Sequence, residues 1–346
     1  MQITMIGLDL AKNVFQVHGV DGAGVVGIRR RLKRGNVEKF FAALAPCRVG
    51  IEACGGAHHW ARRLTALGHE VRILPPQYVR PYVKTNKNDA ADAGAICEAM
   101  QRPEMRFVAM KSIEQQALLT MHRVRELLIA ERVSAINAIR AHAAEFGLVI
   151  AQGPRHVPTL LALIEAADAA AVPAVVKRML GTLAAHLEEL ETRIAAIDGE
   201  IHAAHRSSEA SQRLATIPGV GVITASALVA SIGDASQFKS ARHLAAWLGL
   251  VPRQNSTGGK TRLGPISKRG DPYLRKLLIH GARSVVRWRR AGVNATAGWL
   301  AELIKSKPPN VAATALANKN ARIVWALLTR KQTYKAPNAA APAAAA

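Results

Sequence analysis

The sequence predicts an α/β domain at the N-terminus, followed by two mostly helical regions. Short apolar segments with the character of strands alternate with helical stretches as far as Arg102 and Pro103. From Ser112 onward, apolar residues recur at the three- and four-residue spacing of helices. The chain has 346 residues, which is enough for two or three domains with separate cores.

The N-terminal domain, residues 1–110, is predicted to begin with strands. Five apolar segments have the length and composition of short strands. They are residues 3–9, Val14–Val20, Val25–Arg31, Arg48–Glu52 and Glu70–Leu74. Helical stretches at 36–45 and 58–67 separate the later strands, and this alternation predicts an α/β fold.

The region 111–206 is predicted to be helical and coiled-coil-like. A long helix is expected over 174–205, where six apolar residues step by three or four positions. They are Leu180, Leu183, Leu187, Leu190, Ile194 and Ile197. Such a stripe fits an intermolecular coiled coil and an ordinary helical hairpin within one chain equally well. Residues 207–335 are predicted to form a third, mostly helical domain, and the tail 336–346 is expected to be disordered.

The chain carries a large positive charge that indicates a polyanionic partner. It contains 47 Lys and Arg against 24 Asp and Glu, which gives a formal net charge of +23. Solubility alone requires far less, whereas each phosphate that a cation neutralises releases a counterion. Nucleic acid is therefore the expected partner, although a basic protein without that role has the same composition.

The sequence predicts a cytoplasmic protein that does not bind membranes. Asp9 and Lys12 interrupt the N-terminal apolar stretch, which therefore does not resemble a signal peptide. No apolar run approaches the roughly 18 residues of a membrane span. The three cysteines, Cys47, Cys54 and Cys97, lack the spacing of a disulfide framework or a zinc site.

Four acidic residues of the N-terminal domain form a candidate metal site. Asp9 lies in the first strand, Glu52 ends the fourth, and Asp89 and Asp92 share one face of a following helix. An acid within an apolar strand is costly unless a cation compensates it, and Mg²⁺ prefers carboxylate oxygens. Each acid alone has an ordinary explanation as a helix cap or strand end. The set, in this order, predicts a two-metal phosphodiester site.

A glycine-rich segment, Gly249–Leu274, is predicted to be a phosphate-binding loop. Residues 253–290 contain eleven Lys and Arg against one acid, Asp271, and cations at this density suit phosphate. The cations of the loop itself are Arg253, Lys260, Arg262, Lys268 and Arg269. A hydroxyl among them, at Ser256 or Thr257, can attack phosphorus, or it can simply form a turn.

A second glycine motif lies upstream, where residues 214–233 read LATIPGVGVITASALVASIG and predict a helix-hairpin-helix. Gly219 and Gly221 lie between two helical stretches, where glycine lets backbone N–H groups approach a phosphate. A plain glycine turn has the same sequence, but the basic surroundings favour contact with DNA.

Five short segments stand out along the chain: GLDLAK, VGIEACG, NKNDAADA, TIPGVG and GLVPRQNSTGGKTRLGPISKRGD. In this order they resemble the DEDD-plus-serine transposases of the IS110 insertion-sequence family, in its IS1111 branch, over about residues 1–330. The resemblance implies an RNase H-like, RuvC-like fold for the N-terminal domain. The Mg²⁺ ligands that it implies are Asp9, Glu52, Asp89 and Asp92. The resemblance also implies a serine nucleophile. Alignment with the family from ISKRG places it at Ser256, and alignment from GLVPR places it at Thr257, which is the alternative.

The resemblance further implies strand exchange with several nucleic-acid partners. Ser256 would cleave a DNA strand through a covalent phosphoserine link, and a hydroxyl of a second duplex would reverse the attack. A structured non-coding guide RNA would pair with donor and target DNA, and the 4% aromatic content is consistent with few base-stacking platforms on the protein. A homo-oligomer, from dimer to tetramer, is implied as well, with the 174–205 helix as an assembly element.

Two other functions remain open from the sequence alone. One is a RuvC-like hydrolytic nuclease or junction resolvase that uses only the carboxylates, and the other is a non-enzymatic nucleic-acid-binding protein. The general base for the serine is not evident. His58, His59 and His280 are candidates, but such histidines are more often packing or surface residues.

Overall fold

The computed structural model describes residues 2–83, 89–290 and 298–335, with only the helical backbone given for residues 89 and 90. The chain divides into two compact units, Met1–Ile113 and Glu114–Ala346. The further division at residue 206 remains a prediction, and the tail 336–346 lies outside the described residues.

The first unit is built on a five-stranded sheet of order β3-β2-β1-β4-β5. The strands are β1 (Met5–Asp9), β2 (Val14–Val20), β3 (Val26–Lys33), β4 (Arg48–Glu52) and β5 (Glu70–Leu74). β1, β2 and β3 form an antiparallel meander, while β4 and β5 run parallel to β1. The five strands predicted from the sequence are confirmed, and β3 continues two residues beyond the predicted end.

Helices cover both faces of this sheet. They are α1 (Val37–Ala42), α2 (Ala57–Ala66), α3 (Pro76–Val79) and α4 (Asp89–Met100). α1 and α2 pack Phe41 and Trp60 against the face that carries Ile6 and Leu8. α4 packs against the opposite face, where Ile96 contributes to a second apolar cluster. The central strands are apolar on both faces because both are covered.

The close approach of α4 depends on glycine in the two central strands. A Cβ atom at Gly7 would lie 2.0 Å from the carbonyl oxygen of Ala93, and one at Gly50 would lie 3.0 Å from the side chain of Ile96. Gly7 and Gly50 are direct partners in the parallel register of β1 and β4. α4 therefore rests on the backbone at the middle of the sheet.

The second unit, in the part that the structure describes, consists of helices and one β-hairpin. The helices are α5 (Ile113–Ala144), which starts at the unit boundary, α6 (Val157–Ala166), α7 (Ala174–Arg206), α8 (Glu209–Ala215), α9 (Val222–Ile232), α10 (Ala241–Trp247), α11 (Pro272–Arg290), α12 (Trp299–Ser306) and α13 (Pro309–Arg330). The hairpin strands are β6 (Pro252–Gln254) and β7 (Leu263–Ile266). None of the described helices is both long enough and apolar enough to cross a bilayer.

The apolar stripe of α7 is buried within the chain. Leu180 and Leu187 pack with Ile139 of α5, and Leu190 packs with Leu128 of the same helix. Intramolecular helix packing accounts for the periodicity of these residues. Assembly of several chains through α7 remains a proposal.

Candidate active site

Asp9 and Glu52 end the two central parallel strands of the first unit, each one residue beyond the last position at which β1 pairs with β4. Alternate residues of a strand point to the same face. Asp9 therefore shares the face of Gly7, and Glu52 shares the face of Gly50, which is the face that α4 covers. Because neighbouring strands are about 4.8 Å apart, the two carboxylates lie side by side.

The thiol of Cys54 responds to both carboxylates. Burial raises its pKa, and the negative charges of Asp9 and Glu52 raise the pKa further. Both charges therefore act close to a single point, which supports the proximity given by the strand register. Such a concentration of negative charge suits a hard divalent cation.

α4 begins with the other two predicted ligands. Asp89 is its first residue, and Asp92 is half-buried in the first turn, next to Ala93, which sits over Gly7. Because the side chain of Asp89 lies outside the described residues, its role as a ligand remains a prediction. Among the described side chains, no three His, Cys, Asp or Glu residues lie close enough together to hold a metal ion.

The segment Gly249–Leu274, predicted to be a loop, contains a β-hairpin instead. β6 and β7 pair in antiparallel fashion, and the pairing continues to a bridge between Thr257 and Lys260. Gly258 and Gly259 close the hairpin with φ of +53° and +75°. A two-residue hairpin turn of type I′, which matches the twist of the paired strands, requires positive φ at both positions. The glycines taken as loop signals therefore form a tight turn.

Ser256 is exposed near the tip of this hairpin, and its Oγ accepts a hydrogen bond from Nε2 of Gln254 at 2.9 Å. Positions 254 and 256 share one face, as this bond requires. Thr257 points to the other face, where its bridge partner Lys260 also points, together with Arg262 two residues further on. The two candidate nucleophiles therefore face opposite sides, and these two cations share the side of Thr257.

The five cations predicted to bind phosphate are exposed, and none of them pairs with a described carboxylate. They are Arg253, Lys260, Arg262, Lys268 and Arg269. Asp271, the acid of this region, has other partners. It accepts the backbone N–H of Tyr273 at 2.7 Å at the start of α11, and Arg123 donates to it at 2.7 Å. The positive charge of the hairpin is therefore available to an external anion.

The two glycines predicted to approach DNA have different surroundings. They lie in the turn between α8 and α9. A Cβ atom at Gly219 would lie 2.8 Å from the carbonyl oxygen of Gly281 in α11, so helix packing explains this glycine. Gly221 is exposed at the start of α9, with open space around its Cβ position. Of the two, Gly221 has open space beside its backbone, and contact of either glycine with a phosphate stays a prediction.

A buried polar network surrounds His122 of α5 and was not predicted from the sequence. Nδ1 of His122 is 3.0 Å from the hydroxyl of Tyr273, and its Nε2 is 3.0 Å from Oγ of Ser226. Burial, helped by the charges of Arg125 and Arg123, lowers the pKa of His122 to about 4, so the ring is neutral at pH 7. This network connects α5, α9 and α11 and supports the helix that follows the hairpin.

The histidines considered as general bases are differently placed. Nδ1 of His58 accepts the backbone N–H of Lys111 at 3.2 Å. Burial and the charges of Lys111 and Arg62 lower the pKa of His58 to about 4. His280 is exposed on α11, and His59 packs edge-on against Trp60. His58 is thus a poor proton acceptor at neutral pH.

Comparison with known families defines the class of protein. A DEDD domain profile of the IS110 type, described as "Transposase", matches residues 6–147. A second profile, described as "Transposase IS116/IS110/IS902 family", matches residues 211–296. The mixed α/β unit with its acids and the helical unit with its basic hairpin therefore form a transposase, an enzyme that cleaves and recombines DNA. A DEDD transposase domain also indicates the use of a divalent metal ion.

Several relatives match almost the whole chain. "Probable family 20 transposase" of Pseudomonas aeruginosa is 53% identical over 97% of this chain and 99% of its own length. The transposase for insertion sequence element IS1111A of Coxiella burnetii is 44% identical over 96% of this chain and 92% of its own. The transposase for IS1328 of Yersinia enterocolitica is 42% identical over 96% and 98%. The chain belongs to the IS110 family of insertion-sequence transposases.

Proposed function

We propose that this transposase cleaves and exchanges DNA strands in a Mg²⁺-dependent reaction with a covalent serine–DNA intermediate. The observation that carries the proposal is that Asp9 and Glu52 lie at the ends of adjacent parallel strands, on the sheet face covered by the helix that holds Asp89 and Asp92. Four carboxylates fit a hard cation with oxygen ligands. When bound there, Mg²⁺ would polarise the scissile phosphate and stabilise the leaving oxygen.

The sheet supports an RNase H/RuvC-like interpretation of the first unit. Its order, β3-β2-β1-β4-β5, joins an antiparallel meander to two parallel strands. The proximity of Asp9 and Glu52 follows from this topology, since the carboxyl ends of the parallel strands β1 and β4 meet at one edge of the sheet. An acid pair at that edge is what the family resemblance implies for a phosphodiester-cleaving domain.

Ser256 supplies the nucleophile in this proposal. Its Oγ forms a bond to phosphorus while the bond from phosphorus to the leaving DNA oxygen breaks, and the hydroxyl proton is released. Since one phosphoester replaces another, a hydroxyl of the second strand can reverse the step without a nucleotide cofactor. Lys260, Arg262 and Arg253 neutralise phosphate charge around the tip. Thr257 remains the alternative, because it shares a face with two of these cations.

We also propose three partners: donor and target DNA, a structured non-coding guide RNA, and further copies of the chain, from dimer to tetramer. The net charge of +23 supports the nucleic acids, and the turn with Gly221 supports a helix-hairpin-helix contact with DNA. An apolar groove beside α7, where Val175 and Met179 are 53% and 57% exposed, supports assembly.

The experiment compares Ser256→Ala with Thr257→Val on DNA that carries the ends of the element. With Mg²⁺, Ser256→Ala should form no denaturant-resistant protein–DNA adduct and no exchange product, while Thr257→Val keeps both. If the protein were a hydrolytic nuclease, the Ser256→Ala variant would still cut DNA, and that result would refute the serine mechanism. If Thr257→Val alone abolishes the adduct, the nucleophile is Thr257. Sequencing of RNA that copurifies with the protein tests the guide, for which one discrete RNA is expected.

A further inference from the structure

The edge strand β3 carries a row of cations on the same sheet face as the two carboxylates. The register aligns Asp9 with Gln16 of β2, and Gln16 with Arg31 of β3. Paired residues of neighbouring strands point to the same face, so Arg31 lies on the face of Asp9. Arg29 and Lys33, two residues to either side, lie there as well.

Contacts on both sides of the sheet agree with this assignment. His18 is the strand partner of Arg29, and its ring lies 3.6 Å from the Cβ position of Gly94 in α4. Burial lowers the pKa of His18, and the nearby charge of Arg29 lowers the pKa further. Arg30, by contrast, lies over the ring of Phe40 at 5.7 Å, on the face covered by α1 and α2.

This cation row, Arg29, Arg31 and Lys33, is accessible to an anion. All three side chains are exposed, and none pairs with a carboxylate among the described residues. Charges also keep an edge strand from pairing with another sheet. A charge protects an edge strand from whichever sheet face it projects, so Arg30 on the opposite face would protect β3 equally well.

The distance between the row and the acids suits one strand of nucleic acid. β3 is two strands away from β1, so the backbones at Arg31 and Asp9 are about 10 Å apart. With an axial rise of about 3.4 Å per nucleotide, this distance spans two or three nucleotides. A strand whose scissile phosphate lies at the acids can therefore place a neighbouring phosphate at Arg31.

We propose that the cation row binds phosphates of the DNA strand being cut, two or three nucleotides from the scissile phosphate. The row thereby aligns that strand across the carboxyl edge of the sheet. This inference rests on the proposed function, because it takes Asp9 and Glu52 as the cleavage site. Arg29, Arg31 and Lys33 are positioning residues, and they act on binding before any bond is broken.

The test compares Arg31→Gln with the matched control Arg30→Gln, which removes one cation from the adjacent position on the opposite face. The full-length protein is used as purified, with any RNA that it retains, and binding to single-stranded element-end DNA is measured against salt without divalent cations. The slope of log K against log salt is negative, and loss of one phosphate contact on a single strand should make it shallower by about 0.7. We expect this change in Arg31→Gln, about twice as much in Arg29→Gln/Arg31→Gln, and no change in Arg30→Gln.

Neutral methylphosphonate linkages locate the contact. Placed two or three nucleotides from the cut, they should weaken binding of the wild type and of Arg30→Gln, but not of the double variant. Equal slope changes in Arg30→Gln and Arg31→Gln would overturn the proposal, as would a change confined to RNA binding. Asp9→Asn separates the two hypotheses, because it should bind DNA with the full slope and fail to cut. If Asp9→Asn still cuts, the proposed function fails, whatever the slope of Arg31→Gln.

Discussion

The two units support their chemical groups in different ways. Asp9 and Glu52 project from the ends of central strands, each of which is paired on both sides, beneath a helix that touches the backbone. Ser256 is exposed near the tip of a two-stranded hairpin, a structure that has little stability by itself. The acids are therefore held at fixed positions by the sheet, whereas the hydroxyl lies on an exposed hairpin with little support from neighbouring elements.

The largest effect should come from removing an acid. Asp9→Asn and Glu52→Gln should each lower DNA cleavage at least about 1,000-fold, since loss of an outer partner of a metal ligand already costs about 10–100-fold. Glu104→Gln, which removes one exposed charge from the same unit, should leave cleavage unchanged. Cleavage rates at several Mg²⁺ concentrations check this. Full activity in both acid variants would contradict a fixed metal site in the first unit.

A fall in pH below 6.5 should destabilise the second unit through protonation of His122. Its pKa in the fold, about 4, is lower than the ordinary value of 6.5, so the unfolded chain takes up the proton first as the pH falls. The contribution of His122 to stability is present above pH 6.5 and decreases between pH 6.5 and 4, by about 3 kcal/mol in all.

Urea unfolding at pH 7.5, 5.5 and 4.5, followed by hydrogen exchange of α5 and α11, measures this dependence. His122→Asn should be less stable than the wild type at pH 7.5 and should show a flatter pH profile. His186→Asn, at an exposed position of α7, should retain the profile of the wild type. If His122→Asn keeps the full pH dependence, other groups are responsible for it.

Gly7→Ala tests the rigid support of the acids. The added methyl group would lie 2.0 Å from the carbonyl oxygen of Ala93, so α4 must shift, at a cost of about 1–3 kcal/mol. The melting temperature of the first unit should fall, and cleavage should fall with it. Gly35→Ala, where no atom lies within 4 Å of the new methyl group, is the control. An unchanged melting temperature in Gly7→Ala would show that α4 is more loosely seated than the geometry indicates.

The smallest effect on stability should come from the hairpin tip. Gly258→Val/Gly259→Val places β-branched residues at φ of +53° and +75°, where they are strained. Because the tip is exposed and lacks core contacts, we expect the melting temperature to change by less than about 2 °C. Strand exchange should nevertheless fall several-fold, as the turn presents Ser256 less well. Equal losses of stability in this variant and in Gly7→Ala would remove the contrast between the two units.

Much of the first unit could be predicted from sequence, because its signals are local. The segments Val14–Val20 and Arg48–Glu52 are bounded apolar runs, and they became β2 and β4 with the predicted ends. The proximity of Asp9 and Glu52 follows once two such strands lie side by side in parallel. The face that Arg29 and Arg31 share with Asp9 could not be predicted, because it depends on a register that shifts between Gly19 and Val20.

The second unit was harder to predict, because its features depend on distant contacts. Gly258 and Gly259 have the sequence of a loop, and only the pairing on either side makes them a hairpin turn. His122 gave no signal, since its partners Ser226 and Tyr273 are 104 and 151 residues away along the chain. The periodic apolar stripe of α7 was visible, but periodicity alone does not distinguish a partner within the chain from one in another copy.

The contact between α4 and the two glycines has a consequence for engineering this enzyme. At Gly7 the backbone of α4 lies against the backbone of the sheet, whereas at Gly50 the side chains of Ile96 and Met100 occupy the space above the strand. A library made by directed evolution can therefore vary apolar side chains away from this contact, whereas the space above Gly50 constrains Ile96 and Met100. Gly7 and Gly50 are the two positions that such a library should leave constant.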